Sequence, residues 1–141
     1  MSTEANKAIV RRNFEEAWNK MNLAVVDELV APDYIGHFAS HPQPVSGIEA
    51  CKQFMSGYFV AFPDAHFDIE DMVAEGDKVV ARWTVRGTHQ GNLAGIPPTG
   101  KPITVPGMWI LRLANGKIAE QWGINDTLGL MQQIGVIPAR N

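Results

Sequence analysis

ITVPGMWILRLANGKIAEQWGIN, residues 103–125, decides the fold. Two runs rich in β-branched and aromatic residues flank Asn115-Gly116. That dipeptide favours a two-residue hairpin turn, because both of its positions tolerate φ > 0. Ile103–Leu113 and Lys117–Asn125 are therefore expected as antiparallel strands. Pro106-Gly107 inside the first predicts a bulge or bend. Upstream, KVVARWTVRGTH (78–89) has the same strand character and follows a turn at Glu75-Gly76-Asp77-Lys78, into which Phe67, Ile69 and Met72 lead. GNLAGIPPTGK (91–101) reads as a mobile Gly/Pro loop over a pocket. Downstream, Asp126 or Thr127 can cap a short helix in DTLGLMQQIG.

Towards the N-terminus the period changes from two to 3.6. Ile9, Val10, Phe14, Ala17, Trp18 and Met21 form one apolar stripe, which predicts a helix from about Thr3 to Lys20 with Ser2 or Thr3 as cap. Asn22 opens a second helix that Pro32 stops. Asp33–Phe38 is a short extended piece, and Ala39–Ser46, with two prolines, is a loop. Ser46 with Glu49 makes a capping-box pattern for a third helix that ends near Phe62-Pro63. Three helices, a strand meander and a closing helix define an α+β domain spanning 1–141. A curved, mostly antiparallel sheet crossed by helices leaves a cone-shaped pocket.

The 141 residues suit one domain, which buries about two-thirds of its unfolded surface and has room for a core with a small cavity. The net charge of −3, without a basic run or stripe, argues against a nucleic-acid partner. The single cysteine, Cys51, excludes an internal disulfide and a thiolate cluster and fits a reducing, cytoplasmic setting. The N-terminal run lacks the apolar core of a signal peptide, and no segment approaches a membrane span of ~20 apolar residues.

Alternation along the last strand puts Ile118, Glu120, Trp122, Ile124 and Asp126 on one face. With its apolar members that face is expected to look inward, so its two carboxylates need partners. Asp126 is either a helix cap or a chemical group. Glu120 is expected to pair with an arginine on a neighbouring strand, Arg82, Arg86 or Arg112. His37, beside Tyr34 and Phe38, can line a pocket mouth, and His89 ends a long strand. His37 and His41 flank a proline loop without the helix and glutamate of a metalloprotease motif, so no metal site is read. No phosphate loop, nucleophile elbow or dinucleotide fingerprint occurs either. Trp18, Phe54, Tyr58, Trp83, Trp109 and Trp122 supply aromatic surface for core packing or for a flat apolar pocket.

GKIAEQWGINDTLGLMQQIG (116–135) resembles the closing motif of the SnoaL-like polyketide cyclases, also called ester cyclases. The motif residues are Gly116, Ile118, Glu120, Trp122, Asp126, Leu128 and Gln133-Ile134-Gly135. The run 82–101, Trp18-Asn19 and Tyr34–His37 are similar to that family too. The resemblance implies the nuclear transport factor two-like (cystatin-like) fold. It also implies an intramolecular aldol closure of an aromatic polyketide ester, without metal or cofactor. The Asp of its Trp-x-x-x-Asp motif, here Asp126, would be the general acid/base, and the family's oligomers imply a homodimer or higher homo-oligomer through the sheet.

Two readings follow. In the first the protein is a cofactor-free enzyme on a small hydrophobic, carbonyl-containing molecule. Asp126, His37 and His89 carry the chemistry, and Trp18, Tyr34, Phe38, Phe54, Tyr58, Arg82, Trp109, Glu120 and Trp122 bind the substrate; Arg82 either faces the substrate or pairs with Glu120. In the second it is a ligand-binding or dimer-scaffold domain in which Asp126 only caps a helix. An epoxide hydrolase would need an Asp-Arg-Asp set, for which Glu120 is the sole second carboxylate at hand.

Overall fold

The period-two runs form one six-stranded sheet in the computed structural model, which describes residues 2–138; the domain limits expected at 1 and 141 lie outside them. The strands are β1 (Val30–Phe38), β2 (Val45–Ser46), β3 (His66–Glu75), β4 (Lys78–Thr88), β5 (Pro102–Ala114) and β6 (Lys117–Asn125), in the order β2-β1-β6-β5-β4-β3. Tight turns make the β3-β4 and β5-β6 pairs antiparallel, with Gly76 at φ +58°, and Asn115 and Gly116 at φ +53° and +76°. No hairpin joins β1 to β6, and they pair parallel, while the other strand pairs are antiparallel, so the sheet is mostly antiparallel as expected, with one parallel pair.

The helices are α1 (Thr3–Arg12), α2 (Ala24–Leu29), α3 (Ile48–Ala61) and α4 (Thr127–Gln133). Ser2 caps α1 by accepting the Ala5 N–H at 3.0 Å. The single helix expected to Lys20 is instead split, because Asn13–Asn19 is a π-helical segment. Its Phe14, Ala17 and Trp18 remain buried, so the widened turn keeps the apolar stripe on the sheet. Asn19 fixes this segment to β3, accepting the Phe67 N–H at 2.7 Å and donating to its carbonyl at 3.0 Å. The capping box expected at Ser46 does not form. Ser46 is spent in β2 opposite Ile35, and Gly47, at φ +89°, takes the cap position.

On β4 the strand alternation separates two faces. Val79, Ala81 and Trp83 are buried, and Arg82 and Arg86 are exposed. The bulge expected at Pro106-Gly107 is absent, since β4 and β5 pair without a break from Lys78–Arg112 to Thr88–Pro102. Proline is tolerated there because its missing N–H lies on the side of its carbonyl, which accepts the Asp126 N–H beyond the last β5-β6 pair, Gly107–Asn125. The break falls elsewhere. Leu113 pairs with Ile118 but Arg112 pairs with Glu120, leaving Ala119 as an extra residue in β6.

Candidate active site

The helices leave a cavity of about 90 Å³ over the inner face of the sheet, or about 780 Å³ when the open space at its mouth is counted. Aromatic rings build its walls. Trp18 comes from the π segment, Phe54 and Tyr58 from α3, Phe38 from β1, Trp83 from β4 and Trp109 from β5. They interlock at aromatic distances: Phe38 on Phe54 at 4.3 Å, Trp83 on Trp109 at 5.3 Å, Trp18 on Trp109 at 5.7 Å. Two glycines make room for them. A Cβ at Gly107 would fall 2.3 Å from the Trp83 ring, and one at Gly123 would fall 2.6 Å from Phe38. Ser40 and Ile124 are the lining residues nearest solvent on the β1 and β6 side and mark the mouth. Asn125 is the next residue on that wall.

Of the residues expected to bind substrate, Trp18, Phe38, Phe54, Tyr58 and Trp109 line this cavity. Tyr34 is buried beneath it. Its hydroxyl donates to Gln121 Oε1 at 3.0 Å, and burial pushes the phenol pKa up. Glu120 and Trp122 do not face inward. The extra residue at Ala119 reverses the alternation, so Ile118 and Gln121 both point into the core and Glu120 and Trp122 turn to the outer face. His37 lies with them, its ring stacked on Trp122 at 5.6 Å and its Nε2 2.9 Å from Glu120 Oε2. Arg112 Nε donates to the other Glu120 oxygen at 3.3 Å. The hydrogen bond from His37, and then that from Arg112, hold the Glu120 carboxyl below the ordinary carboxylate range. The arginine partner expected for Glu120 is thus Arg112. Arg82 is bound instead to Asp71 on the exposed face, at 2.6 and 2.8 Å.

His89 lies outside the cavity wall. It is fully buried behind Phe62, its Nδ1 held by Thr99 Oγ1 at 3.0 Å and by the Thr99 N–H at 3.3 Å. It ties down the Gly91–Lys101 loop, whose Leu93 packs among Phe62, Ile103 and Leu130. The loop is therefore a brace behind the wall, because Leu93 gives it an apolar anchor. Cys51 is buried, which pushes its thiol up to about 11.

Asp126 sits one residue beyond the mouth and is exposed. Its Oδ1 accepts the Gly129 N–H at 2.8 Å and caps α4. Among the described residues no protein donor reaches Oδ2, which lies so close to Gly129 that a Cβ there would be 2.1 Å away. The expectation of an inward, half-buried carboxyl fails because β6 ends at Asn125, and the chain turns into α4 before Asp126 can enter the cavity. Asn125 is the polar group the inward alternation should have signalled. The bulge at Ala119 concealed it.

The model of the SnoaL-like polyketide cyclases matches residues 8–134. This chain belongs to that family. Among its relatives, the aklanonic acid methyl ester cyclase DnrD of Streptomyces peucetius is 31% identical over 137 residues, covering 96% of this chain and 92% of that protein. The nogalonic acid methyl ester cyclase of Streptomyces nogalater is 27% identical over 120 residues, 84% of this chain and 90% of that one. The crystal structure of a SnoaL-like protein from Jannaschia sp. CCS1 superposes with a TM-score of 0.89 at 31% identity, covering 96% of this chain and 95% of that one. The chain is a polyketide-cyclase-like enzyme on the nuclear transport factor two-like fold. No helix among the described residues is long and apolar enough to cross a membrane.

Proposed function

We propose that this cyclase closes a ring in a small aromatic ester bearing two carbonyls, with Asp126 as general acid/base at the mouth. The observation that carries the reading is the aromatic cavity whose polar rim, at Asn125, is followed directly by a carboxylate with one anchored oxygen and one without a partner among the described residues. The Oδ2 atom takes a proton from the carbon between an ester and a ketone. The enolate carbon attacks the second carbonyl, and the alkoxide so formed recovers the proton from Asp126. The stacked walls hold the flat body so that the two carbons meet, and the cap holds the carboxylate. The test is to incubate the protein and Asp126→Asn with aklanonic acid methyl ester and follow the cyclised product by chromatography. Turnover by the wild type and not by the variant is the expected result. Equal turnover removes Asp126 from the chemistry.

We also infer a homodimer through the outer sheet face. Val73, Val80, Ile110, Trp122 and His37 pair in one row across five strands, with Met108 and Ile124 beside the Arg82–Asp71 ion pair in the next. Val73 is 62% exposed and Ile124 60%, and the row beyond Ile110 is charged, with Lys78, Arg112 and Glu120. An apolar stripe with a charged border suits a partner with the same surface. Ile110→Lys is expected to shift the sedimentation coefficient to that of a monomer, and an unchanged one removes this interface.

A further inference from the structure

Asn125 is the last residue of β6 and stands on the cavity wall. Two markers put its side chain on the inner face. Directly across the strand pair is Gly107, where a Cβ would meet the Trp83 ring, and two residues back is Gly123, where a Cβ would meet Phe38 and Trp109. Opposite residues of an antiparallel pair share one face, as do residues two apart on a strand. The amide is used on one edge only. Its Oδ1 accepts the Thr127 hydroxyl at 3.3 Å, and Nδ2 has no partner among the described residues. The buried side-chain atoms left unpaired belong to Asn6, Trp83, His89 and Gln121, whereas Asn125 is partly exposed, so its Nδ2 is open to a bound molecule.

With Oδ1 engaged, the amide presents N–H donors alone, and their match is an oxygen lone pair. Asp126 follows directly, its Cα about 3.8 Å away. When a carboxylate takes a proton from carbon, the C–H electron pair moves towards the neighbouring carbonyl oxygen, and a donor aimed at that oxygen stabilises the enolate. A cationic donor beside the base would lower its pKa and weaken it, whereas a neutral amide leaves it basic. We infer that Asn125 is the oxyanion donor of this site, its Nδ2–H bonded to the carbonyl oxygen next to the carbon that Asp126 deprotonates. The inference rests on the proposed reading of the cavity and of Asp126.

The first arm of the test uses a matched pair that differs by one oxygen, 9-fluorenone and fluorene. Their affinities for the wild type and for Asn125→Leu, which keeps the bulk and removes the donor, are measured by equilibrium dialysis. Loss of one hydrogen bond should lower the fluorenone-to-fluorene affinity ratio about fivefold, while general damage to the wall weakens both ligands and leaves the ratio unchanged. The infrared carbonyl stretch of bound fluorenone should lie at lower frequency in the wild type than in the variant. The second arm is turnover of aklanonic acid methyl ester, for which Asn125→Leu should lower kcat about a hundredfold. An unchanged ratio, an unshifted stretch or a wild-type kcat in the variant overturns the inference and leaves the cavity and Asp126 readings standing. A wild type that binds neither ligand, or turns nothing over, sinks those readings and the inference with them.

Discussion

Asparagine caps a helix as well as aspartate does, and it cannot act as a base. That difference separates the two jobs that Asp126 can hold. The cap is a single 2.8 Å bond from the Gly129 N–H to Oδ1 on an exposed residue. The helix it starts is only seven residues long, yet it presents Leu130 to the cavity and Ile134 to the buried group of Phe62, Leu93 and Ile103. Removing the cap with Asp126→Ala is expected to cost about 1 kcal/mol, the middle of the N-cap range. For a domain of this size that lowers Tm by roughly 3–5 °C. Asp126→Asn keeps an acceptor oxygen in the same place and should leave Tm within about 1 °C. Turnover behaves differently, because both variants lose the carboxylate and general-base contributions lie at about 10²–10⁴-fold. The assay pairs calorimetric melting with product formation from aklanonic acid methyl ester for all three proteins. Asp126→Asn melting like wild type but turning over about a hundredfold or more slower supports the base. Wild-type turnover by Asp126→Asn would refute it and leave Asp126 a structural cap.

Three further outcomes follow from the same geometry. Gly129→Ala places a Cβ 2.1 Å from Asp126 Oδ2, so it should lower turnover at least tenfold by displacing the carboxylate, while alanine's helix propensity keeps the melting temperature near wild type. A low Tm with normal turnover would contradict this. The Glu120 carboxyl is held below its ordinary value of 4.5, so its contribution to stability is full above that value and is lost as pH falls through the depressed one. Acid titration of the melting temperature should therefore be less steep below about pH 4.5 for Glu120→Gln than for wild type, and identical slopes would count against the His37–Glu120–Arg112 set. Burial pushes the Cys51 thiol up to about 11, so at pH 8 it should react with a disulfide reagent only after unfolding; rapid labelling of the native protein would show the site is open.

Much of the fold was legible because it rests on local chemistry. Asn115-Gly116 permits φ > 0 at two consecutive positions and fixed one hairpin, and alternation set Val79, Ala81 and Trp83 on one side of β4 and Arg82 and Arg86 on the other, with burial in the structure deciding that the first side is the inner one. The parallel β1-β6 pair was not legible, because it joins segments more than 80 residues apart and no turn chemistry marks it. The capping box at Ser46 failed for a related reason. Two residues of strand pairing with β1 outweighed a local helix signal, and Gly47 could take the cap by its backbone alone.

The site shows how little it takes to misplace chemistry on a strand. The period-two rule is right on each side of Ala119 and wrong across it, because one unpaired residue shifts every later side chain to the opposite face. Reading Glu120 and Trp122 as inward followed from Ile118 being inward, and it is. The bulge leaves no mark in composition, since Ile118, Ala119 and Gln121 are all buried and none is a glycine. Asn125 and Gly123, which an unbroken alternation sends outward, are instead on the cavity wall, and the stacked His37–Trp122 pair is on the outside. Deleting Ala119 should test this directly. If Ala119 is the extra residue, deletion makes Glu120 the neighbour of Ile118, so β6 alternates without a break, Glu120 and Trp122 stay on the outer face, and the domain should stay folded with His37 stacked on Trp122. If the variant unfolds, or if His37 no longer meets Trp122, Ala119 is not a removable extra residue and the faces are set by something other than the count of residues in β6.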